Sequence, residues 1–70
     1  MKLSARNQLP GTVVAIKKGA VNGIVTIEVA PGVIITSSIT NAAIEELGLI
    51  EGARAVAVIK ASSVMVGVED

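Results

Sequence analysis

The chain has 70 residues, 51% of them hydrophobic, with six basic against six acidic side chains and no histidine, cysteine, phenylalanine, tyrosine or tryptophan. Those absences exclude imidazole bases, thiol nucleophiles, disulfides and ordinary transition-metal sites, and the balanced charge argues against the broad basic footprint of a nucleic-acid binder. A single domain over residues 1–70 is close to the size at which one core barely outweighs chain entropy; without aromatic side chains that core rests on Val, Ile, Leu and Ala, and a mean hydropathy of +0.73 points to apolar surface buried between subunits.

In chain order, "MKLSARNQ" at the N-terminus has no apolar stretch of signal-peptide length. "GTVVAIKKG" (11–19) is β-branched, and "GIVTIEVAPG" (23–32) alternates, with Thr26 and Glu28 on one face. Both read as strands. The Asn-Gly pair in "KKGAVNG" between them is a hairpin signal, so they are expected to pair antiparallel. After Pro31 and Gly32, "VIITSSIT" reads as a third strand running into a short helix over "NAAIEELGL". In that helix Ala43, Ile44 and Leu47 share a face, Thr40 or Asn41 caps the start, Glu45 and Glu46 are exposed, and Gly48 stands where a left-handed C-cap is wanted. "EGARAVAVIKASSVMVGVE" supplies one or two closing strands with a break at residues 61–63. The longest apolar run, "AVAVI" at 55–59, is far short of the roughly 20 residues that span a bilayer, so no membrane segment is expected and the protein is expected to be cytoplasmic. The fold class is all-β with one short helix: a small antiparallel barrel of the oligonucleotide/oligosaccharide-binding type, with about five strands.

Little in this sequence supports catalysis. Lys60 and Ser62 share a strand face, but no desolvated pocket is evident that would lower a lysine pKa, and the carboxylates Glu28, Glu45, Glu46, Glu51, Glu69 and Asp70 read as solvated surface. No enzyme is expected. A carrier lysine at Lys60 is disfavoured because its flanks read as a strand end rather than a hairpin tip. Single-strand binding on such barrels uses aromatic platforms and a basic groove, and neither is present.

The remaining polar residues gather in "SARN" (4–7), "TSSIT" (36–40) and "KASS" (60–63). Two of these carry a cation, none contains a carboxylate, and Ser4 with Arg6, like Lys60 with Ser62, alternates onto one face. Donors without acceptors suit a fully ionised dianion and disfavour an anion whose own hydroxyl needs an acceptor. Each cluster is equally readable as a polar strand end or helix cap.

Taken together, "SARNQLPG", the Gly-Ala-Val-Asn turn and the late "IKAS" resemble the molbindins, small molybdate-binding proteins related to the anion-binding domains of molybdate-responsive regulators and importer ATPases. The resemblance covers almost the whole chain. It implies a barrel of the kind above, assembled with itself as a homohexamer, with molybdate or tungstate held at subunit interfaces by hydrogen bonds alone, with no organic cofactor, no direct protein-metal ligand, no nucleic acid and no membrane. It maps oxyanion binding onto Ser4, Ala5, Arg6, Thr40, Lys60, Ala61 and Ser62. For the family's second class of site, the backbone of Gly19, Ala20 and Val21 is the candidate, since a glycine-flanked turn can aim successive N–H groups at an anion; a plain hairpin turn is the other reading. With 70 residues and no DNA-binding or ATPase region, storage or buffering is the expected role. The alternatives are that "SARN" lies on a swapped strand with Arg6 paired to a carboxylate such as Glu28, and that the barrel is structural or binds single-stranded nucleic acid without a small ligand.

Overall fold

Twelve consecutive residues, Asn7–Lys18, form the strand around which the rest is arranged (β1). The computed structural model describes residues 1–70 and adds β2 (Asn22–Ala30), β3 (Val33–Thr40), a helix α1 (Asn41–Glu46), β4 (Arg54–Ile59) and a single 3-10 turn at Ala61–Ser63. All strand pairs are antiparallel, in the order β3-β2-β1-β4. β1 serves two neighbours in succession. Its first half pairs with β4, from Asn7 opposite Ile59 to Thr12 opposite Arg54, and its second half with β2, from Thr12 opposite Glu28 to Lys18 opposite Gly23.

The register shifts between Val13 and Ala15, where β1 carries a bulge as it leaves β4 for β2. Bulges bend a strand and add twist, and this one curls the sheet into a half-barrel. The loop before β4 satisfies the backbone there: the Val13 N–H donates to the Ala53 carbonyl at 2.9 Å, and the Gly52 N–H to the Val13 carbonyl at 2.8 Å. Gly11 allows the close approach of β2, since a Cβ there would collide with the Glu28 carbonyl oxygen. Pro10 stands opposite Val56, before β2 joins, where β1 has a neighbour on one side only and a missing N–H is tolerated.

Val13, Val25, Ile27, Ile44 and Ala57 form the buried core, with Leu9, Ile16, Val29, Ile35, Ile39, Leu49 and Ala55 half-buried around it. Five buried side chains are a small core, and much apolar surface faces outward. Leu47, expected on the buried face of the helix, is 68% exposed, because α1 closes at Glu46 and Leu47 already forms its C-cap. Gly48 takes the expected left-handed conformation, with φ of 63°.

Two expectations need correction. The Asn-Gly pair is not the turn: Asn22 and Gly23 already lie in β2, and residues 19–21 make the connection. Gly23 is there for packing, since a Cβ would come within 2.6 Å of Ile44 Cδ1. Within one chain there are four strands rather than about five. Residues 64–70 follow the break as expected but pair with no strand, and the half-barrel stays open between its edge strands β3 and β4. The remaining class features, a curled antiparallel sheet with one short helix, stand as expected.

Gly11→Ala is expected to cost about 1–3 kcal/mol, since the new methyl meets backbone that cannot yield. Gly67→Ala, where nothing lies within 4 Å, is expected to be neutral. Thermal or urea unfolding of the two variants checks the difference.

Candidate functional site

At one end of β1, Asn7 pairs with Ile59 and its Nδ2 donates to the Ile59 carbonyl at 3.2 Å, which fastens the N-terminal segment beside the end of β4. Between them lies an open cavity of about 590 Å³ lined by Ser4, Ala5, Arg6, Val58, Lys60, Ala61 and Ser62. Six residues singled out in the sequence, from segments more than fifty positions apart, thus meet in one place. Val58 is the addition, an apolar wall with no polar signal to reveal it.

Backbone hydrogen bonding turns the donors of this cavity outward. Gln8 Nε2 donates to the Ala5 carbonyl at 3.1 Å, the Ser63 N–H to the Lys60 carbonyl at 2.8 Å, and the Val64 N–H to the Ala61 carbonyl at 3.2 Å. In a trans peptide the next N–H points opposite to the carbonyl. The Arg6, Ala61 and Ser62 N–H groups are therefore directed away from these bonds, and none meets an acceptor in the chain. Around them stand the Ser4 and Ser62 hydroxyls, the Arg6 guanidinium and the Lys60 ammonium. No carboxylate lines the cavity. Arg6 makes no ion pair: the salt bridge in the chain joins Lys18 Nζ to Glu45 Oε1 at 3.2 Å, and Glu28 lies opposite Thr12 and Ile34. The polar side chains of the cavity are all exposed, so one chain presents a donor-rich surface rather than an enclosed pocket. No group of three His, Cys, Asp or Glu side chains is placed to hold a metal ion.

Thr40 is elsewhere. It pairs with Asn22, and its Oγ1 accepts from the Ala43 N–H at 3.0 Å as the N-cap of α1, leaving its hydroxyl proton free to donate. That is the Lys18 end of β1, where residues 19–21 make the turn to β2. Thr40 is set at the end of β1 opposite Asn7 and is absent from the cavity lining. The seven mapped residues thus divide into six at one end and Thr40 at the other, beside Gly19, Ala20 and Val21. In the turn, the Gly19 N–H donates to the Asn22 carbonyl at 2.8 Å, a close approach that needs glycine because a Cβ would lie 2.7 Å from that oxygen. The Ala20 and Val21 N–H groups have no acceptor in the chain.

The TOBE domain family model matches residues 3–66, nearly all of this chain. The chain belongs to the TOBE domain family. It is 55% identical over 69 residues to a probable molybdenum-pterin-binding protein of Haemophilus influenzae, covering 99% of this chain and 100% of that one. Among solved structures it superposes on MopII from Clostridium pasteurianum with a TM-score of 0.89 at 49% identity, covering 96% of this chain and 100% of that one. It also superposes on ModG, a cytoplasmic molybdate-binding protein solved with molybdate bound, with a TM-score of 0.93 at 55% identity, where 99% of this chain matches 49% of ModG. Within the TOBE family this chain is a small molbindin-type member, a binding domain and not an enzyme. No helix is long and apolar enough to cross a membrane.

Proposed function

We propose that this TOBE domain, residues 1–70, binds molybdate as an intact oxyanion through hydrogen bonds alone, in the cavity formed by Ser4, Ala5, Arg6, Lys60, Ala61 and Ser62. One observation carries the reading: two remote segments converge on a surface with two cations, two hydroxyls and outward N–H groups and no carboxylate. Such a surface complements a dianion with no proton to donate. The molybdate-bound ModG structure and the molybdenum-binding relatives support molybdate as that dianion. Tungstate, tetrahedral and of nearly the same size, fits the same donors. Several relatives are named for a molybdenum-pterin, but a pterin ring calls for stacking surfaces and this chain has no aromatic side chain, which favours the bare oxyanion.

The site is completed by a second subunit. Its donors are solvent-exposed in one chain, and Thr40 lies outside the cavity lining in that chain, so a second copy is the source proposed for it. Exposed apolar surface supports the same reading: Leu47 and Ile50 beside the helix, and Val66 and Val68, each 90% exposed, on a terminal segment without a partner. The resulting homo-oligomer, a hexamer by the molbindin resemblance, serves molybdate or tungstate storage or buffering in the cytoplasm. The 19–21 turn, with its outward N–H groups, is the second oxyanion site.

Charge-assisted hydrogen bonds contribute about 1.5–3 kcal/mol, so Arg6→Ala and Lys60→Ala are each expected to weaken molybdate about tenfold to a hundredfold, while Glu45→Ala, remote from the cavity, leaves affinity unchanged. Calorimetric titration measures all three, and an unchanged affinity in Arg6→Ala would remove the cavity from consideration. The same titrations with tungstate and sulfate should rank tungstate beside molybdate and the smaller sulfate well below, since sulfate stretches hydrogen bonds set for a larger ion. Deleting residues 64–70 is expected to lower the mass found by light scattering. A mass per chain number equal to that of the full-length protein would show that this segment plays no part in assembly.

A further inference from the structure

Asn41, the first residue of α1, grips the turn between β1 and β2 at two points. Its backbone N–H donates to the Val21 carbonyl at 2.8 Å, and its side-chain Nδ2 donates to the Gly19 carbonyl at 2.9 Å. The helix start is capped by Thr40, so the Asn41 amide is not needed for that purpose. Every peptide bond in the chain is trans. Drawing the Gly19 carbonyl onto Asn41 therefore turns the Ala20 N–H the opposite way, out from α1. Without that bond, the peptide joining Gly19 to Ala20 has a glycine on one side and little to stop it rotating.

The Asn41 side chain occupies this place at a cost. Its Oδ1 is buried and has no hydrogen-bond partner. A buried acceptor left unmade is destabilising, and native structures hold few of them. Glycine at residue 23 eases its place, since a Cβ there would lie 3.1 Å from Oδ1, a tight contact. The local sequence thus maintains, against an orphaned oxygen, one hydrogen bond that sets the direction of one peptide. The Lys18 to Glu45 ion pair nearby is exposed and cannot substitute for it.

We propose that Asn41 is a positioning residue for oxyanion binding at the 19–21 turn: its side-chain amide locks the peptide joining Gly19 to Ala20 so that the Ala20 N–H faces the ligand. This rests on the reading of that turn as the second oxyanion site. Asn41 acts through Gly19: one Nδ2 hydrogen is engaged by the Gly19 carbonyl, and Oδ1 is an acceptor turned into the protein. The chemistry recognised is a tetrahedral dianion met by backbone donors.

The test is a molybdate titration of the full chain followed by nitrogen–proton correlation spectra, which read the turn at the Ala20 and Val21 amides and the cavity at Arg6 and Ala61 separately. Asn41→Ala removes the amide without adding charge and carries the test, Asn41→Asp replaces the donor with a charged acceptor, and Ile44→Val trims the core beneath the same helix while leaving both Asn41 hydrogen bonds in place. In the unmodified protein the Ala20 amide is expected to shift saturably. In both Asn41 variants the dissociation constant read at the turn should rise by about tenfold or more, and the one read at the cavity should stay as it was. Ile44→Val, compared at equal loss of melting temperature, should titrate at the turn like the unmodified chain. If it weakens the turn as much as the Asn41 variants do, Asn41 acts through stability alone and the proposal falls. Turn amides that titrate normally in Asn41→Ala would overturn the positioning role while leaving the turn as a site. Turn amides that ignore molybdate in the unmodified protein, while cavity amides respond, would remove the second site and the proposal with it.

Discussion

The bulge at Val13 is the constraint on which the rest of the molecule depends. A strand of twelve residues can satisfy two partners in succession only if it changes direction between them, and the shift after Val13 provides that change. The two hydrogen bonds of Val13, donated by its N–H to Ala53 and accepted by its carbonyl from Gly52, fix where it happens, and with it the position at which β4 begins. Two results follow. The sheet curls without closing, and the two ends of β1 carry separate sets of outward donors. Both features underlie the proposal that the site is completed between chains.

One device recurs at both ends. A side-chain amide or a local turn takes hold of a carbonyl, and the N–H across the same peptide is left facing solvent: Gln8 on Ala5, the 3-10 turn on Lys60 and Ala61, Asn41 on Gly19. Fixed dipoles of this kind need no reorganisation when an anion arrives, and beside Arg6 and Lys60 they add direction to charge. The apparent neutrality of the chain conceals this, because its electrostatics lie in the arrangement of peptides as much as in its six cations.

Much of this was legible in the sequence. Alternating β-branched runs announced β2 and β3, Thr40 and Gly48 marked the ends of the helix, the carboxylate-free clusters singled out Ser4, Arg6, Lys60 and Ser62, and the family resemblance added Ala5 and Ala61; these six share a cavity. The start of β1 at Asn7 was less legible, because "NQLP" lacks β-branched residues and owes its extended form to pairing with β4. Asn-Gly misled for a related reason: the pair signals a tight turn by local preference, but here Gly23 answers to Ile44, a contact no local pattern contains. The roles of Gln8 and Asn41 were hidden because they act on backbone carbonyls, which every residue possesses. Thr40 was named for the cavity, yet its distance from the other six could be seen only once the path of β1 was known.

On the proposed reading, the 19–21 turn recognises an anion through peptide groups, and such a site has an unusual relation to mutation. Ala20 and Val21 are exposed, and what they offer is the N–H that nineteen of the twenty amino acids share. Substitution at either position leaves the donor in place unless the newcomer is proline. The information that specifies such a site is therefore stored away from it, in glycines that permit close approach and in an asparagine on another element. Lineages of this protein would then drift freely at the residues nearest the proposed anion site while being held fast at those that never meet it.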